Sequence, residues 1–208
     1  MTHDTRSAPR RAAAAAAAAA VAAFGFALGA PVAAQAPAPK AKDGKANLNL
    51  DKVARGKYLV STSACMDCHT PWKMGPKGPE PDLSLTLSGH PEKMTMPPAP
   101  KLQEPWVMAA AGTNTAWAGP WGVSFTANLT PDPDTGLGLW TERDFVATIR
   151  TGRHMGRGRE VLPPMPIAVY QNFTDEDLGA IFAYLKSLPP IRNRVPEPLP
   201  PQLTSAKP

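Results

Sequence analysis

Two cysteines and a histidine lie close together in the segment Cys65-Met66-Asp67-Cys68-His69, and these are the only two cysteines of the chain. On a helical turn, residues at positions i, i+3 and i+4 face the same side. Both thiols can therefore add to the two vinyl groups on one edge of a haem, which places the histidine under the iron. C-x-x-C-H is the sequence signature of covalent haem attachment. The pattern predicts one haem c, bound covalently at Cys65 and Cys68 and ligated axially by His69.

Two other chemistries of paired cysteines fit this sequence less well. A structural zinc site needs four ligands, usually from two such pairs, and the other histidines (His3, His90 and His154) have no spacing that completes a set. A thioredoxin-like dithiol is expected in a βαβ context, which this sequence lacks. A disulfide across so short a loop would remove little entropy from the unfolded chain. Haem attachment is the favoured interpretation, ahead of a dithiol and of zinc.

The second axial ligand is expected to be a methionine, because a soft thioether sulfur suits an electron-transfer haem. Met165 is the favoured candidate, since the prolines in L-P-P-M-P (162–166) restrict the backbone and hold the sulfur at low entropic cost. Other downstream residues remain open as the sixth ligand: Met94, Met96, Met155 and His90. If His90 were the sixth ligand, the haem would have two histidine ligands.

A helix in front of the cysteine motif must position it. This first helix is predicted to begin after Asn49, a residue type that caps helices, and to run towards Cys65. Its apolar residues recur at helical spacing, which predicts a buried stripe of Leu50, Val53, Ala54 and Tyr58.

Two later helices share a start signature. Each has a threonine cap, an aspartate three residues later, and apolar residues before the cap and at the fourth helical position. The cap and acid pairs are Thr141 with Asp144 and Thr174 with Asp177. The first helix is predicted to end near Gly152, and the second before Pro189.

Residues 71–125 are so rich in proline and glycine that they exclude a long helix or a central strand. A structureless loop of this length is unusual in a compact domain. The sequence therefore predicts a long ordered loop insertion, pinned by Trp106, Trp117 and Trp121 and by a large apolar cofactor.

The first 36 residues have the features of a secretory signal peptide. Arginines precede an uninterrupted small-apolar run at 12–28, and small-x-small sites follow it. Cleavage is predicted after Ala34 or Ala36, which gives a periplasmic protein with no stable membrane insertion. A retained N-terminal anchor is the alternative, although the run is mostly alanine and a span needs about 20 strongly apolar residues.

The remaining chain is predicted to have three parts. Residues 37–49 read as a flexible linker, 50–190 as the haem domain and 191–208 as a proline-rich, extended tail. The net charge of +5 is too small and too diffuse to indicate nucleic-acid binding.

Two segments resemble a known family. Residues 125–145 (F-T-A-N-L-T-P-D-P-D-T-G-L-G-L-W-T-E-R-D-F) and 162–185 (L-P-P-M-P-I-A-V-Y-Q-N-F-T-D-E-D-L-G-A-I-F-A-Y-L) resemble modules in cytochrome c subunits of periplasmic alcohol and sugar dehydrogenases. Together with C-x-x-C-H after an N-terminal helix, they are similar to class I cytochrome c. The resemblance implies a mainly α cytochrome c fold, a small helical bundle around one haem, with the long Pro/Gly-rich loop inserted. Those subunits usually carry three haem motifs, whereas this chain resembles a stand-alone relative with one.

The same resemblance implies roles for individual residues. Cys65 and Cys68 are the thioether sites, and His69 and Met165 are the axial ligands. Other residues are expected near the haem edge or propionates, with loop scaffolding as the alternative: Asn128, Thr130 and Trp140. A further pair, Gly56 and Tyr184, is expected where the first and last helices cross.

These features predict a periplasmic mono-haem cytochrome that transfers single electrons and is not an enzyme. The expected partners are redox proteins: a dehydrogenase as donor, and a terminal oxidase or another cytochrome as acceptor. The alternative is a peroxidase-like enzyme or a ligand-binding sensor, both of which need an open or labile sixth position. A basic cluster could steer an acidic partner, or could be only a solvated turn; it consists of Arg150, Arg153, His154, Arg157 and Arg159.

Overall fold

The computed structural model of the chain describes residues 44–201. The predicted signal peptide at 1–36, its cleavage sites and the last residues of the tail lie outside the described residues. Between residues 44 and 201, no helix is both long enough and apolar enough to span a membrane.

Helices make up most of the regular secondary structure between residues 44 and 201, which confirms the mainly helical prediction. They are α1 (Gly44–Thr62), α2 (Cys65–His69), α3 (Glu142–Thr151), α4 (Ile167–Tyr170) and α5 (Asp175–Ser187), with short 3-10 turns at Leu83–Leu85 and His154–Gly156. Five short strands lie between α2 and α3: β1 (Trp72–Gly75), β2 (Gly78–Pro81), β3 (Ala109–Ala110), β4 (Ala116–Gly119) and β5 (Gly122–Phe125).

The core lies where α1, α3 and α5 meet. Its buried members are Leu59, Val60, Leu87, Leu137, Phe145, Ile149, Leu178, Ile181, Phe182 and Leu185. At the crossing of α1 and α5, a Cβ on Gly56 would lie 2.8 Å from Tyr184 Cβ and would overlap the carbonyl oxygen of Ala180. The two helices can approach this closely only because position 56 has no side chain, and the predicted meeting of Gly56 and Tyr184 is confirmed.

The first helix differs from its prediction in start and orientation. It begins at Gly44 rather than after Asn49, since Lys45 and Ala46 favour helix. The predicted apolar stripe is wrong, because Leu50 and Tyr58 are 68% and 59% exposed. The buried face instead centres on the glycine at position 56, with Leu59 and Val60 beside it. Close helix contact, rather than the largest apolar side chains, sets which face is covered.

Replacing Gly56 with alanine is expected to destabilise the fold by about 1–3 kcal/mol, the usual cost of overpacking a core. The new methyl group would collide with backbone atoms of α5, which cannot move aside as the end of a flexible side chain could. Denaturant unfolding of the two proteins measures the difference. Gly112→Ala is the matched control, since a Cβ there meets nothing within 4 Å. Equal stability of both variants would contradict this account of the crossing.

Both predicted helix starts are confirmed. The Thr141 side chain accepts a hydrogen bond from the Asp144 backbone N–H at 3.2 Å, and Asp144 accepts one from the Thr141 N–H at 3.0 Å, which completes a capping box. The Thr174 side chain caps α5 by accepting a hydrogen bond from the Asp177 backbone N–H at 3.1 Å. The helix α3 ends at Gly152 with φ of 66°, a left-handed conformation that glycine adopts readily.

The region 71–125 is not one long loop, so this part of the fold prediction is wrong. β1 pairs antiparallel with β2, and β3, β4 and β5 form a second antiparallel sheet. Both hairpin turns have the sequence Gly-Pro-x-Gly, at 75–78 and 119–122. Proline at the second position and glycine at the fourth suit a tight turn. Trp106, one of the predicted anchors, is 74% exposed and is not packed into the domain, whereas Trp117 and Trp121 are partly buried.

The chain after α5 is extended, as predicted, but it lies against the domain. Residues 191–199, the C-terminal strap, run past the loops before and after the second sheet. Leu199 and Val123 exchange two backbone hydrogen bonds of 2.9 Å. The strap therefore belongs to the packed structure through residue 199.

Candidate cofactor site

The short helix α2 brings the three residues of the C-x-x-C-H motif onto a single turn. It starts directly after Ala64, whose left-handed conformation (φ 59°) breaks the chain away from α1. The thiols of Cys65 and Cys68 are free and partly buried, and the His69 side chain is buried. The structure thus presents the two thiols and the imidazole from one helical turn, the arrangement that the spacing predicts.

The His69 imidazole is held by one backbone acceptor. Its Nδ1 lies 2.7 Å from the carbonyl oxygen of Ala127. A carbonyl only accepts, so Nδ1 carries the proton and Nε2 keeps its lone pair free for a metal. Burial lowers the pKa of His69, and the bond to Ala127 offsets part of this effect. The imidazole is therefore kept neutral, as metal ligation requires.

The two thiols lack the surroundings of reactive cysteines. Burial raises the pKa of Cys65 to about 11, and burial also raises the pKa of Cys68. Redox-active cysteines instead have lowered pKa values, because a nearby positive charge stabilises the thiolate, so these surroundings disfavour the dithiol interpretation. Among residues 44–201, no group of three or more His, Cys, Asp or Glu side chains could hold a metal ion, which disfavours the zinc interpretation.

Tyr170 connects the cysteine turn to the segment that contains Met165. Its hydroxyl donates to the carbonyl oxygen of Ser63, two residues before the first cysteine. Burial is the main cause that raises the pKa of Tyr170, so the phenol stays protonated as a donor. The helix α4 is thereby fixed next to the turn that carries the thiols.

The Met165 segment is anchored on both sides of the methionine. Ser124 Oγ donates to the Pro163 carbonyl at 2.5 Å, and the Ile167 N–H donates to the Met165 carbonyl at 2.9 Å. The Met165 side chain is partly buried and packs against the same core cluster as Cys65. Met165 and Cys65 thus both pack against the core cluster.

The other candidates for the sixth ligand lie in different settings. Met94 is 39% exposed, and Met94, Met96 and Met155 do not belong to the core cluster of the described residues. His90 is fully buried, with Nδ1 at 2.9 Å from Thr115 Oγ1 and its ring centroid at 4.8 Å from that of Phe125. These contacts hold the His90 ring in place, while its Nε2 has no hydrogen-bond partner among the described residues.

A family model described as cytochrome c matches residues 53–189, most of the chain. The chain belongs to the cytochrome c family. Family membership implies covalently bound haem c, which agrees with the C-x-x-C-H turn.

The curated relatives of this cytochrome c domain are longer proteins, and the chain matches only a part of each. The cytochrome c subunit of the quinone-dependent alcohol dehydrogenase of Gluconacetobacter polyoxogenes is 31% identical over 67% of this chain and 25% of the relative. The gluconate 2-dehydrogenase cytochrome c subunit of Pantoea cypripedii is 30% identical over 68% of this chain and 24% of the relative. A diheme cytochrome c-type protein of Cereibacter sphaeroides is 33% identical over 71% of the chain and 39% of the relative. The chain spans well under half the length of these relatives, and the predicted resemblance to dehydrogenase cytochrome subunits is confirmed.

The polar groups of the domain fit a haem. Among the described residues, four buried side-chain atoms have no hydrogen-bond partner: Trp72 Nε1, His90 Nε2, Trp117 Nε1 and Thr126 Oγ1. An unpaired buried donor costs about 1–3 kcal/mol, and an indole nitrogen can only donate. Haem has two propionate carboxylates, which accept hydrogen bonds. This donor set therefore suits the cofactor that the family implies.

Asn128 and Thr130 act as loop scaffold in the structure rather than as free polar groups. Asn128 Nδ2 donates to the Ile191 carbonyl at 2.8 Å, and its Oδ1 accepts from the Thr130 hydroxyl at 2.7 Å and from the Thr130 N–H at 3.0 Å. Trp140 packs edge-on against His154, with ring centroids 4.8 Å apart. For the first two residues, the structure favours the scaffolding alternative over a contact with the propionates.

The basic cluster is largely paired with acids. The pairs are Arg150–Asp175 at 2.7 Å, Arg153–Glu160 at 3.4 Å and Arg159–Glu197 at 3.6 Å. The partner carboxylates reduce the positive potential that this turn presents to another protein. The pairing favours the solvated-turn interpretation over steering of an acidic partner.

Arg150 differs from the rest of the cluster because it links two helices. From the last turn of α3, its guanidinium donates to the carbonyls of Gln171 and Phe173, both at 2.6 Å, and to Asp175 in the first turn of α5. The sequence alone groups it with the cluster because its acceptors are mostly backbone atoms, which leave no side-chain pattern.

Replacing Arg150 with glutamine is therefore expected to lower the free energy of unfolding by about 1.5–3 kcal/mol, the range for hydrogen bonds to a charged group. Thermal unfolding measures the change. Arg157→Gln, at an exposed position of the same cluster, is the control and should change stability by less than about 0.5 kcal/mol. If both variants behave alike, Arg150 is only another surface charge.

Proposed function

We propose that this chain is a periplasmic mono-haem c-type cytochrome that carries single electrons between redox proteins. In this proposal Cys65 and Cys68 form the two thioether bonds, and His69 and Met165 are the axial ligands. The observation that carries it is the bond from His69 Nδ1 to the Ala127 carbonyl, within a C-x-x-C-H turn. That bond prepares the histidine for a metal on its other nitrogen.

The residues of the chain attach, orient and shield the cofactor. Haem supplies an iron that accepts and releases one electron. The covalent bonds of the two cysteines fix the plane of the ring, and the Ala127 carbonyl fixes the tautomer and orientation of His69. The bonds at Pro163 and Ile167 hold the Met165 segment, so the sulfur would be kept in place as a ligand.

A single haem is supported by the cysteine count. The sequence contains two cysteines, enough for one thioether pair. The diheme relative is matched over 39% of its length, so the matched region corresponds to less than half of that protein. The chain acts in this proposal as a one-haem unit.

The partners are proposed to be a dehydrogenase that delivers electrons and a terminal oxidase or another cytochrome that accepts them. Relatives named as cytochrome c subunits of alcohol and gluconate dehydrogenases support the donor class. The proposed periplasmic location is supported by the signal-like pattern of residues 1–36. This electron carrier would catalyse no substrate conversion of its own.

An absorption spectrum of the oxidised protein combined with a redox titration tests the proposal. We expect a low-spin spectrum with a methionine–iron charge-transfer band, and a single one-electron transition. A high-spin ferric spectrum would instead indicate an open sixth position, which belongs to a haem enzyme or a ligand-binding sensor. Two or more transitions would contradict the single haem.

A further inference from the structure

The C-terminal strap contacts both backbone segments that hold His69. One segment, 88–92, lies before the second sheet, and the other, 126–130, follows it. The Gly89 N–H donates to the His69 carbonyl at 2.8 Å, and the Ala127 carbonyl accepts from the His69 imidazole at 2.7 Å.

The first strap contact is made by Asn193, which is 9% exposed. Its Nδ2 donates to the carbonyls of Ser88 at 2.7 Å and His90 at 2.9 Å, and its Oδ1 accepts from the Glu92 N–H at 2.8 Å. Both polar atoms of the side chain are thus used to hold one short segment. Gly89, which bonds to the proximal histidine, lies between the two carbonyls that Asn193 binds.

The second strap contact is made by the backbone of Ile191. Its N–H donates to Thr130 Oγ1 at 3.0 Å, and its carbonyl accepts from Asn128 Nδ2 at 2.8 Å. Asn128 directly follows Ala127, whose carbonyl binds the imidazole. The strap therefore fixes the position of that carbonyl through its neighbour.

The two held segments also pack against each other. The His90 N–H donates to the Thr126 carbonyl at 3.0 Å. A Cβ on Gly89, which has φ of 79°, would lie only 2.6 Å from the Ala127 carbonyl carbon. The two segments are thus in direct contact. The strap is hydrogen-bonded to both of them, and so is Thr115, which bonds to the His90 ring and to the Thr126 N–H.

We infer that the C-terminal strap is a positioning element for His69, acting through Asn193 and Ile191 to keep the Nδ1–Ala127 hydrogen bond short. An acceptor on Nδ1 makes the imidazole a more basic ligand. A more basic ligand stabilises ferric over ferrous iron, so this bond lowers the reduction potential. The inference rests on the proposed role of His69 as the axial ligand.

Asn193→Ala tests the inference on the haem-loaded, full-length protein. NMR of the reduced protein follows exchange of the His69 Nδ1 proton, and a redox titration gives the midpoint potential. We expect exchange about tenfold faster, because local opening becomes easier, and a higher midpoint potential. The methionine–iron band should be unchanged, since the Asn193 side chain bonds to residues 88–92 and not to the Met165 segment.

Two further variants make the result decisive. Thr130→Val keeps the side-chain shape but removes the side-chain bonds to Ile191, so it loosens the second contact. It should also speed exchange of the His69 Nδ1 proton and raise the midpoint potential. This variant replaces Asn193→Ala in the test if Asn193→Ala does not fold. Arg194→Gln, at an exposed strap position, is the control and should match the wild type at moderate salt, which screens a surface charge.

The outcomes separate this inference from the proposed function. Reduced stability in Asn193→Ala or Thr130→Val, with unchanged proton exchange and unchanged potential, would overturn it and leave the strap as ordinary packing. A wild-type protein without a histidine-ligated haem would instead overturn the proposed function.

Discussion

Replacing Met165 with alanine is expected to lower the midpoint potential by on the order of 0.1 V, within the roughly 0.8 V over which axial ligands set haem potentials. A thioether stabilises ferrous iron better than a harder ligand does. Without it, water is expected at the sixth position. Three changes should appear together: a lower potential, loss of the methionine–iron band, and carbon monoxide binding to the reduced protein. Spectroscopy and a redox titration of the purified variant measure all three.

Met155→Ala is the control for this prediction. That methionine lies in the 3-10 turn His154–Gly156, apart from the core cluster that Met165 joins. It should retain the band and the potential of the wild type. If Met155→Ala shows the three changes and Met165→Ala does not, Met155 is the ligand, and the assignment of covalent haem still stands. If neither variant shows the changes, Met94, Met96 and His90 become the candidates, and a histidine ligand would show a lower potential from the start.

Replacing both Cys65 and Cys68 with serine is expected to abolish covalent haem and most of the folded population. Serine hydroxyls do not form the thioether bonds, and the cofactor is expected to fill much of the space beside the core. Acid-acetone extraction should remove any haem that remains in the variant but none from the wild type. Circular dichroism should show reduced helix content.

Each single serine variant is the control for the double variant. One remaining thioether keeps the haem on the chain, so each should resist extraction but unfold more easily than the wild type. Covalent haem in the double variant would contradict the assignment of the attachment sites.

Local signals in the sequence predict the boundaries of α3 and α5 well. The Thr141–Asp144 capping box and the Gly152 cap each depend on residues within a few positions, so the pattern contains all the information. The buried face of α1 was mispredicted because burial there depends on the close contact of Gly56 with a helix more than a hundred residues away. The proline and glycine content of 71–125 does not by itself predict the hairpins, because proline breaks strands, although Gly-Pro-x-Gly is also a turn signal.

The candidate site shows the same division. The arrangement of the cysteines and His69 follows from helical spacing alone. The Ala127 acceptor could not be predicted, because a backbone carbonyl gives no side-chain signal. The two residues are also 58 positions apart in the sequence, with the second sheet between them. The role of Asn193 was hidden for a similar reason, since a proline-rich tail gives no indication of which loops it will contact.

Intact mass spectrometry of the purified protein under denaturing conditions tests the central claim, covalent attachment of one haem at Cys65 and Cys68, most directly. The account predicts the mass of the mature chain plus one haem, with the added mass on the proteolytic peptide that contains the C-M-D-C-H segment. A chain that releases its haem on denaturation, or that carries the added mass on another peptide, would contradict it.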